Sequence, residues 1–398
     1  MVGLQRSWSP DSPAYPLASA SQQAPDDAPS PAPASANMGR PRILIVKLTS
    51  LGDVIKALPV VNDIRRALPE ATLDWAVERP FDSLLALHPA IDRVIPLELR
   101  RYRKERRYAA GFLAALRDLR SLRAHRYDLI VDLQGRMKSA LVAALARGPV
   151  VGQASGSMRE RHHDCLYRKV VPRAAVAGLD AVSANRALAA LALGYPMPID
   201  EASYGLRAVR ARPTSFGTPP SSPYAVLVHG SSRSEKCWPE ARWFALGRAL
   251  NQRGIRCLLP WGNASEEARA RRLASRIRGA VVPQRVLELV DWAGVLAAAS
   301  LAVGVDSGLT HLAAACGAPT IGIFQASSVA IYGIEGRVPH RNLGDEGREV
   351  SVEEVVGAAD ALLARRAFAL EFDLVPGSAA RFAALTLTKL SGSRAAKC

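Results

Sequence analysis

Two hydrophobic patterns alternate along this chain. Short unbroken apolar runs, ILIVKL (43–48), YDLIVDL (127–133), YAVLV (224–228) and LAVGV (301–305), each stop at a polar or glycine turn. Behind each turn lies a segment with apolar residues three or four apart. The runs predict buried strands and the spaced segments predict amphipathic helices. In the first half, TSLGD (49–53) is a turn and 54–69 a helix with Pro59 inside it. TLDWAVE (72–78) and RVIPLE (93–98) are strands. Leu113, Leu116 and Leu119 predict a helix over 105–125, and MKSALVAALA (137–146) another. Alternation of this kind predicts an α/β domain with a parallel sheet wound on both faces.

After residue 200 the pattern loosens, and RARPTSFGTPPSSP (210–223) reads as a linker. A second series follows. Strands are expected at 224–230, 255–262, 301–306 and 319–326. Helices are expected at 241–254, 266–279, 287–299 and 307–317, with a terminal helix at 351–367. The organisation is therefore a domain over 38–209, the linker, a second domain over 224–367, and a loose extension over 368–398. Residues 1–37 are rich in Pro, Ala and Ser and are expected to be disordered, with Met38 as the true start. Two doubly wound domains place a ligand cleft at the carboxyl ends of their sheets.

Charge adds a constraint. The 398 residues carry 52 Lys+Arg against 36 Asp+Glu, a net charge of +16. An anionic partner fits, and so does a basic surface with no partner. Nucleic acid is disfavoured, because no helix-turn-helix, zinc-finger or RNA-recognition pattern accompanies the charge. The five cysteines show no CxxC spacing, which argues against a disulfide framework or zinc ribbon and for a reducing compartment. Cys257 and Cys316 read as buried thiols. No apolar stretch has the length of a membrane span; 289–303 comes closest and is broken by Asp291.

Five segments carry candidate chemistry. VDSGLTHLAAA (305–315) is strand, tight turn and helix start, which aims free amides and the helix dipole at one spot and suits a phosphate. There Gly308 permits close backbone approach, Ser307 offers a hydroxyl and His311 projects from the first turn. HGSSRSEKCWP (229–239) adds Ser231, Ser232 and Lys236, a set suited to a diphosphate or to a plain polar loop. In WGNASEE (261–267), Glu266 can hydrogen-bond a ribose, or Ser265 can cap a helix with Glu266 and Glu267 in its first turn. KLTSLGD (47–53) offers Asp53 as a carboxylate, though Ser50 and Asp53 are also ordinary capping residues. RRYRKERR (100–107) is either an anion site or a solvated face. No DxD pair is present for a divalent cation, so Lys and backbone amides are the simpler means of holding a diphosphate.

Taken together and in order, ILIVKLTSLGDVIKALP, RRYRK, DLQGRMKSAL, HGSSRSEKCWP, LPWGNASEE and VDSGLTHLAAACGAPTIGIF resemble family 9 glycosyltransferases over roughly residues 40–365. The resemblance implies a GT-B fold, two Rossmann-like domains facing a central cleft. It implies an inverting transfer from ADP-L-glycero-β-D-manno-heptose to the first Kdo of Kdo2–lipid A in inner-core lipopolysaccharide synthesis, without a cofactor or essential metal. Heptosyl-Kdo2–lipid A as acceptor, or a non-catalytic nucleotide-sugar binder, are the alternatives. By position, Asp53 matches the general base. Ser231, Ser232 and Lys236 match the diphosphate loop, and Glu266 the ribose-binding acid. Asp306, Ser307, Gly308 and His311 match the turn gripping pyrophosphate and heptose. Arg100, Arg101, Arg103 and Lys104 match the acceptor-binding segment. Ser231, Ser232 and Ser307 stand where Thr is usual, and Ser234-Glu235 where two acids are. An acceptor of this kind places the enzyme in the cytoplasm, peripheral on the anionic inner membrane surface.

Overall fold

The structure is a computed structural model that describes residues 40–99, 109–155, 161–206 and 223–373. The tail 1–37, the basic run 100–107, all but the last residue of the expected linker and residues 374–398 lie outside the described residues. Six strands form the first sheet: β1 (Arg42–Val46), β2 (Thr72–Glu78), β3 (Arg93–Leu97), β4 (Leu129–Asp132), β5 (Val150–Gln153) and β6 (Lys169–Val171). Their order is β3-β2-β1-β4-β5-β6, parallel throughout. The second sheet comprises β7 (Tyr224–Val228), β8 (Arg256–Leu258), β9 (Leu301–Val305), β10 (Thr320–Phe324) and β11 (His340–Gly344). Its order is β11-β10-β9-β7-β8, again parallel.

The central strands are apolar without alternation because helices cover both faces. Every residue of β7, β9 and β10 is buried. Below β7, Trp238 and Trp243 meet edge to face at 5.1 Å and fill the second core. The first core is continuous into the second half, joining Val54 and Leu58 to Leu312 and Ala313. Helix Leu51–Ala57 packs on helix Gly308–Ala315, and the short helix Asp82–Leu85 on helix Leu289–Ala298.

Several expectations are corrected. The segment 54–69 is two helices, Leu51–Ala57 and Pro59–Ala67, because Pro59 cannot donate to an existing helix but suits the first position of a new one. The strand expected at 255–262 is only β8, and its remainder turns into the cleft. The terminal helix runs over Val352–Asp373, beyond residue 367. Cys257 is buried as expected, but Cys316 is half-buried; burial pushes both thiols up to about 12. The short strands β5, β6 and β11 and helix Ala181–Leu193 add to the pattern read from sequence. That helix is tied to helix Pro59–Ala67 by Arg186, which donates to both oxygens of buried Asp63 at 2.7 and 2.9 Å. A forked pair of this kind fixes orientation more than it adds stability.

Three buried histidines have pKa values lowered to about 4. Burial is the main cause for each, helped by the charge of Arg65 at His88, Arg269 at His229 and Lys56 at His311. They are neutral when folded and take up protons near 6.5 when unfolded. The unfolded chain therefore binds more protons between these values, and stability falls as pH drops from about 6.5 to about 4. At full linkage one such group contributes about 1.4 kcal/mol per pH unit. The variant His229→Gln should show a smaller difference in urea midpoint between pH 7 and pH 5 than the wild type. An unchanged difference would contradict the buried neutral state of His229.

Candidate active site

Each sheet has a point where its strand order reverses, between β1 and β4 in the first and between β7 and β9 in the second. Loops leaving neighbouring strands there diverge and open a crevice. The two crevices merge into one cleft of about 1320 Å³. Asp53, Ser231, Ser232, Lys236, Glu266, Asp306, Ser307, Gly308 and His311 all line it. Arg100, Arg101, Arg103 and Lys104 fall outside the described residues.

On the first half, Asp53 occupies the third position of helix Leu51–Ala57. Its Oδ2 accepts from the amide of Ser50 at 3.0 Å and from the Ser50 hydroxyl at 2.9 Å. This is the capping box that the residue types predict. Among the described residues Oδ1 accepts no hydrogen bond, so the same carboxylate caps its helix and keeps an oxygen for the cleft. The loop before it is held from β4. The side-chain oxygen of Gln134 accepts from the amides of Leu48 and Thr49 at 2.7 and 3.2 Å. Lys47, buried, donates to the carbonyl of Leu133 at 2.7 Å and to Asn185 at 3.2 Å. Burial lowers its pKa against the raising charges of Asp53 and Asp132. Asp132 accepts from the amides of Gln134 and Gly135, the Ser139 hydroxyl and the Tyr167 hydroxyl. The DLQG segment is thus the scaffold of the Asp53 loop.

On the second half, Asp306 ends β9 and gathers the site. Lys236 Nζ lies 2.6 Å from its Oδ2, the Ser327 hydroxyl donates to the same oxygen at 2.7 Å, and His311 Nε2 lies 3.3 Å from Oδ1. Burial raises the Asp306 pKa, but the bonds from His311, Lys236 and Ser327 outweigh it and hold the carboxyl well below the usual range. Asp306 is therefore an anion and His311 a neutral imidazole at pH 7. Neutral His311 can serve Asp306 only by carrying its proton on Nε2, which leaves Nδ1 as an acceptor. The Ser231 hydroxyl donates to the Asp306 carbonyl at 3.1 Å and closes the loop after β7 onto the end of β9.

Ser307 holds the N-cap position of helix Gly308–Ala315 in an extended conformation, with its hydroxyl 3.1 Å from that of Thr310 and not bonded to a helix amide. The first amides of this helix face the cleft without intrahelical partners. Gly308 also has a packing role: a Cβ there would meet the Leu51 side chain of the opposite half at 2.7 Å. Glu266 accepts from the Gly262 amide at 2.7 Å and lies against Gly230. Its helix is capped by Asn263, which accepts from the Glu266 amide at 3.0 Å, and not by Ser265, which lies inside the helix.

Two cleft residues were not singled out from sequence. Lys56 follows Asp53 by one helical turn, a spacing that puts both on one face and could have revealed it. Tyr332, at the end of helix Val329–Tyr332, stands between Lys56 and Lys236, whose Nζ atoms lie 5.2 and 5.9 Å from its ring centroid. Nothing local in the sequence marks Tyr332.

Two open parallel sheets that share a cleft at their switch points have the architecture of the GT-B fold. The profile of glycosyltransferase family 9 (heptosyltransferase) matches residues 115–337. Lipopolysaccharide heptosyltransferase 1 of Pseudomonas aeruginosa is 41% identical over 297 residues, covering 74% of this chain and 82% of that protein. The solved structure of E. coli heptosyltransferase WaaC with ADP superposes with a TM-score of 0.72 at 32% identity, covering 81% of this chain and 99% of that one. WaaC with ADP-2-deoxy-2-fluoro heptose gives a TM-score of 0.67 at 31% identity, with 82% and 99% covered. The chain belongs to glycosyltransferase family 9.

The Gly308–Leu51 contact can be tested by stability alone. Gly308→Ala should destabilise by about 1–3 kcal/mol, the usual cost of overpacking. Adding Leu51→Ala should recover part of that loss in a double-mutant cycle read by urea unfolding. Independent, additive effects would contradict the contact.

Proposed function

We propose that this enzyme transfers L-glycero-D-manno-heptose from ADP-heptose to the first Kdo of Kdo2–lipid A, with inversion at the anomeric carbon. The observation that carries the reading is the meeting of Asp53 from one half with Lys236, Asp306 and His311 from the other in a single cleft. Its likeness to a heptosyltransferase solved with ADP and with an ADP-heptose analogue supports the donor. The relative named heptosyltransferase 1, at 41% identity, favours Kdo2–lipid A over an acceptor already bearing heptose.

In this mechanism Asp53 takes the proton of the acceptor hydroxyl on its free Oδ1. The hydroxyl oxygen attacks the anomeric carbon from the face opposite the nucleotide. The bond from that carbon to the diphosphate oxygen breaks, and ADP leaves with the bonding electrons. Lys236, the Ser232 hydroxyl and the first amides of helix Gly308–Ala315 stabilise the departing charge, while Ser231, bonded to the Asp306 carbonyl, holds the loop that carries them. Glu266 holds the ribose. Asp306 orients Lys236 and His311, and Nδ1 of His311 is free to accept from a heptose hydroxyl. Arg100, Arg101, Arg103 and Lys104 engage the anionic groups of the acceptor. A lysine and amides in these roles make a divalent metal dispensable.

Among the described residues no helix is long and apolar enough to cross a membrane. The net charge of +16 supports peripheral contact with the anionic cytoplasmic face of the inner membrane, with salt-sensitive vesicle binding as its readout.

Asp53→Asn should lower kcat by about 10²–10⁴-fold, the usual worth of a general base, with ADP affinity nearly unchanged. Turnover of the wild type should persist in EDTA. ADP release from both substrates is the readout. An Asp53→Asn enzyme of wild-type kcat would remove the proposed base, and abolition by EDTA that magnesium restores would overturn the metal-free mechanism.

A further inference from the structure

Among the described residues the fold supplies Lys56 with no ionic partner. The residue is 4% exposed, yet it lines the cleft. Among the described residues no carboxylate lies within ion-pair distance of Nζ, and its contact is the face of Tyr332 at 5.2 Å. A cation over a phenol ring recovers part of the lost hydration, but a buried ammonium remains costly without an anion beside it. Lysine at this position would be retained at a cost to stability unless something anionic arrives.

The surroundings identify that anion. Burial lowers the pKa of Lys56; the charges of Asp306 and Asp53 work against that shift, and Lys236 adds to it. Lys236 already spends its charge on Asp306 at 2.6 Å and shares the Tyr332 ring with Lys56. Lys56 thus stands at the Lys236 side of the cleft although its helix belongs to the first half. A diphosphate, with several charged oxygens and more than one negative charge, can meet both lysines and still leave Lys236 its bond to Asp306. We propose that Lys56 is a further donor-binding residue, reaching from the Asp53 helix across the cleft to an oxygen of the sugar nucleotide's diphosphate. This rests on the cleft being the site for ADP-heptose. It also couples the base to the donor, because Asp53 and Lys56 are one turn apart on the same helix.

The test compares ADP with adenosine by calorimetry in the wild type and in Lys56→Met, which keeps the length and apolar stem and removes the charge. Thermal unfolding checks that the variant is folded, and Lys56→Gln replaces it should it not be. ADP affinity is expected to fall roughly tenfold or more, as for loss of a charge-assisted hydrogen bond, with adenosine affinity unchanged. Lys56→Arg should restore part of the ADP affinity. Unchanged ADP binding, an equal loss for ADP and adenosine, or an effect confined to the KM of the lipid acceptor would each overturn the proposal. A wild type that binds no ADP would instead overturn the reading of the cleft.

Discussion

The carboxylate of Asp306 organises the second half of the cleft from the last turn of backbone after β9. It is nearly buried, and a buried carboxylate is tolerated only when its lone pairs are met. Lys236, Ser327 and His311 meet them from three different segments. The loop after β7, the loop after β10 and the helix after β9 are thereby held to one point. With the carboxylate ionised and His311 buried, the imidazole stays neutral and acts as a dipole rather than a charge. The positive charge of the cleft then comes from the lysines and arginines that line it, and the start of helix Gly308–Ala315 adds its dipole.

The same helix start is also the joint between the halves. Gly308 receives Leu51, and Gly52 lies beside His311, with room for a Cβ only 3.4 Å from its ring. The packing that seats the cleft-facing start of this helix therefore also seats the Asp53 helix. Asp53 and the Asp306 cluster follow strands of separate sheets, yet their separation is set by side-chain contacts. Gln134 and Lys47 do the complementary work on the first half, fixing the loop that precedes Asp53 from the adjacent strand β4. Placing reacting groups by rigid elements is what allows a two-substrate transfer to be oriented rather than merely collected.

Much of this was legible along the chain. Central strands buried on both faces are continuous apolar runs, so β1, β4, β7, β9 and β10 stand out, as do the polar turns after them where ligands bind. The edges were less legible. β6 is three residues long and β11 reads HRNLG, with too few apolar positions to show a period. Capping was legible as chemistry but not as position: Asn263 and Ser265 are both good caps, and only the backbone decides between them. Asp53 shows that capping and a place in the cleft coexist, since each carboxylate oxygen serves one of them. Gln134 and Tyr332 were illegible for another reason. Their partners lie far off in sequence, in the loop after β1 and on two lysines, and distant pairing leaves no local pattern.

The central claim is that the two halves form one transfer site rather than a nucleotide-sugar binder beside an unrelated surface. The most direct measurement is the mass of the lipid after the purified chain is incubated with ADP-heptose and Kdo2–lipid A. The account predicts a product heavier by a single heptose. Unchanged lipid, with ADP-heptose bound and heptosyl-Kdo2–lipid A also unmodified, would contradict it.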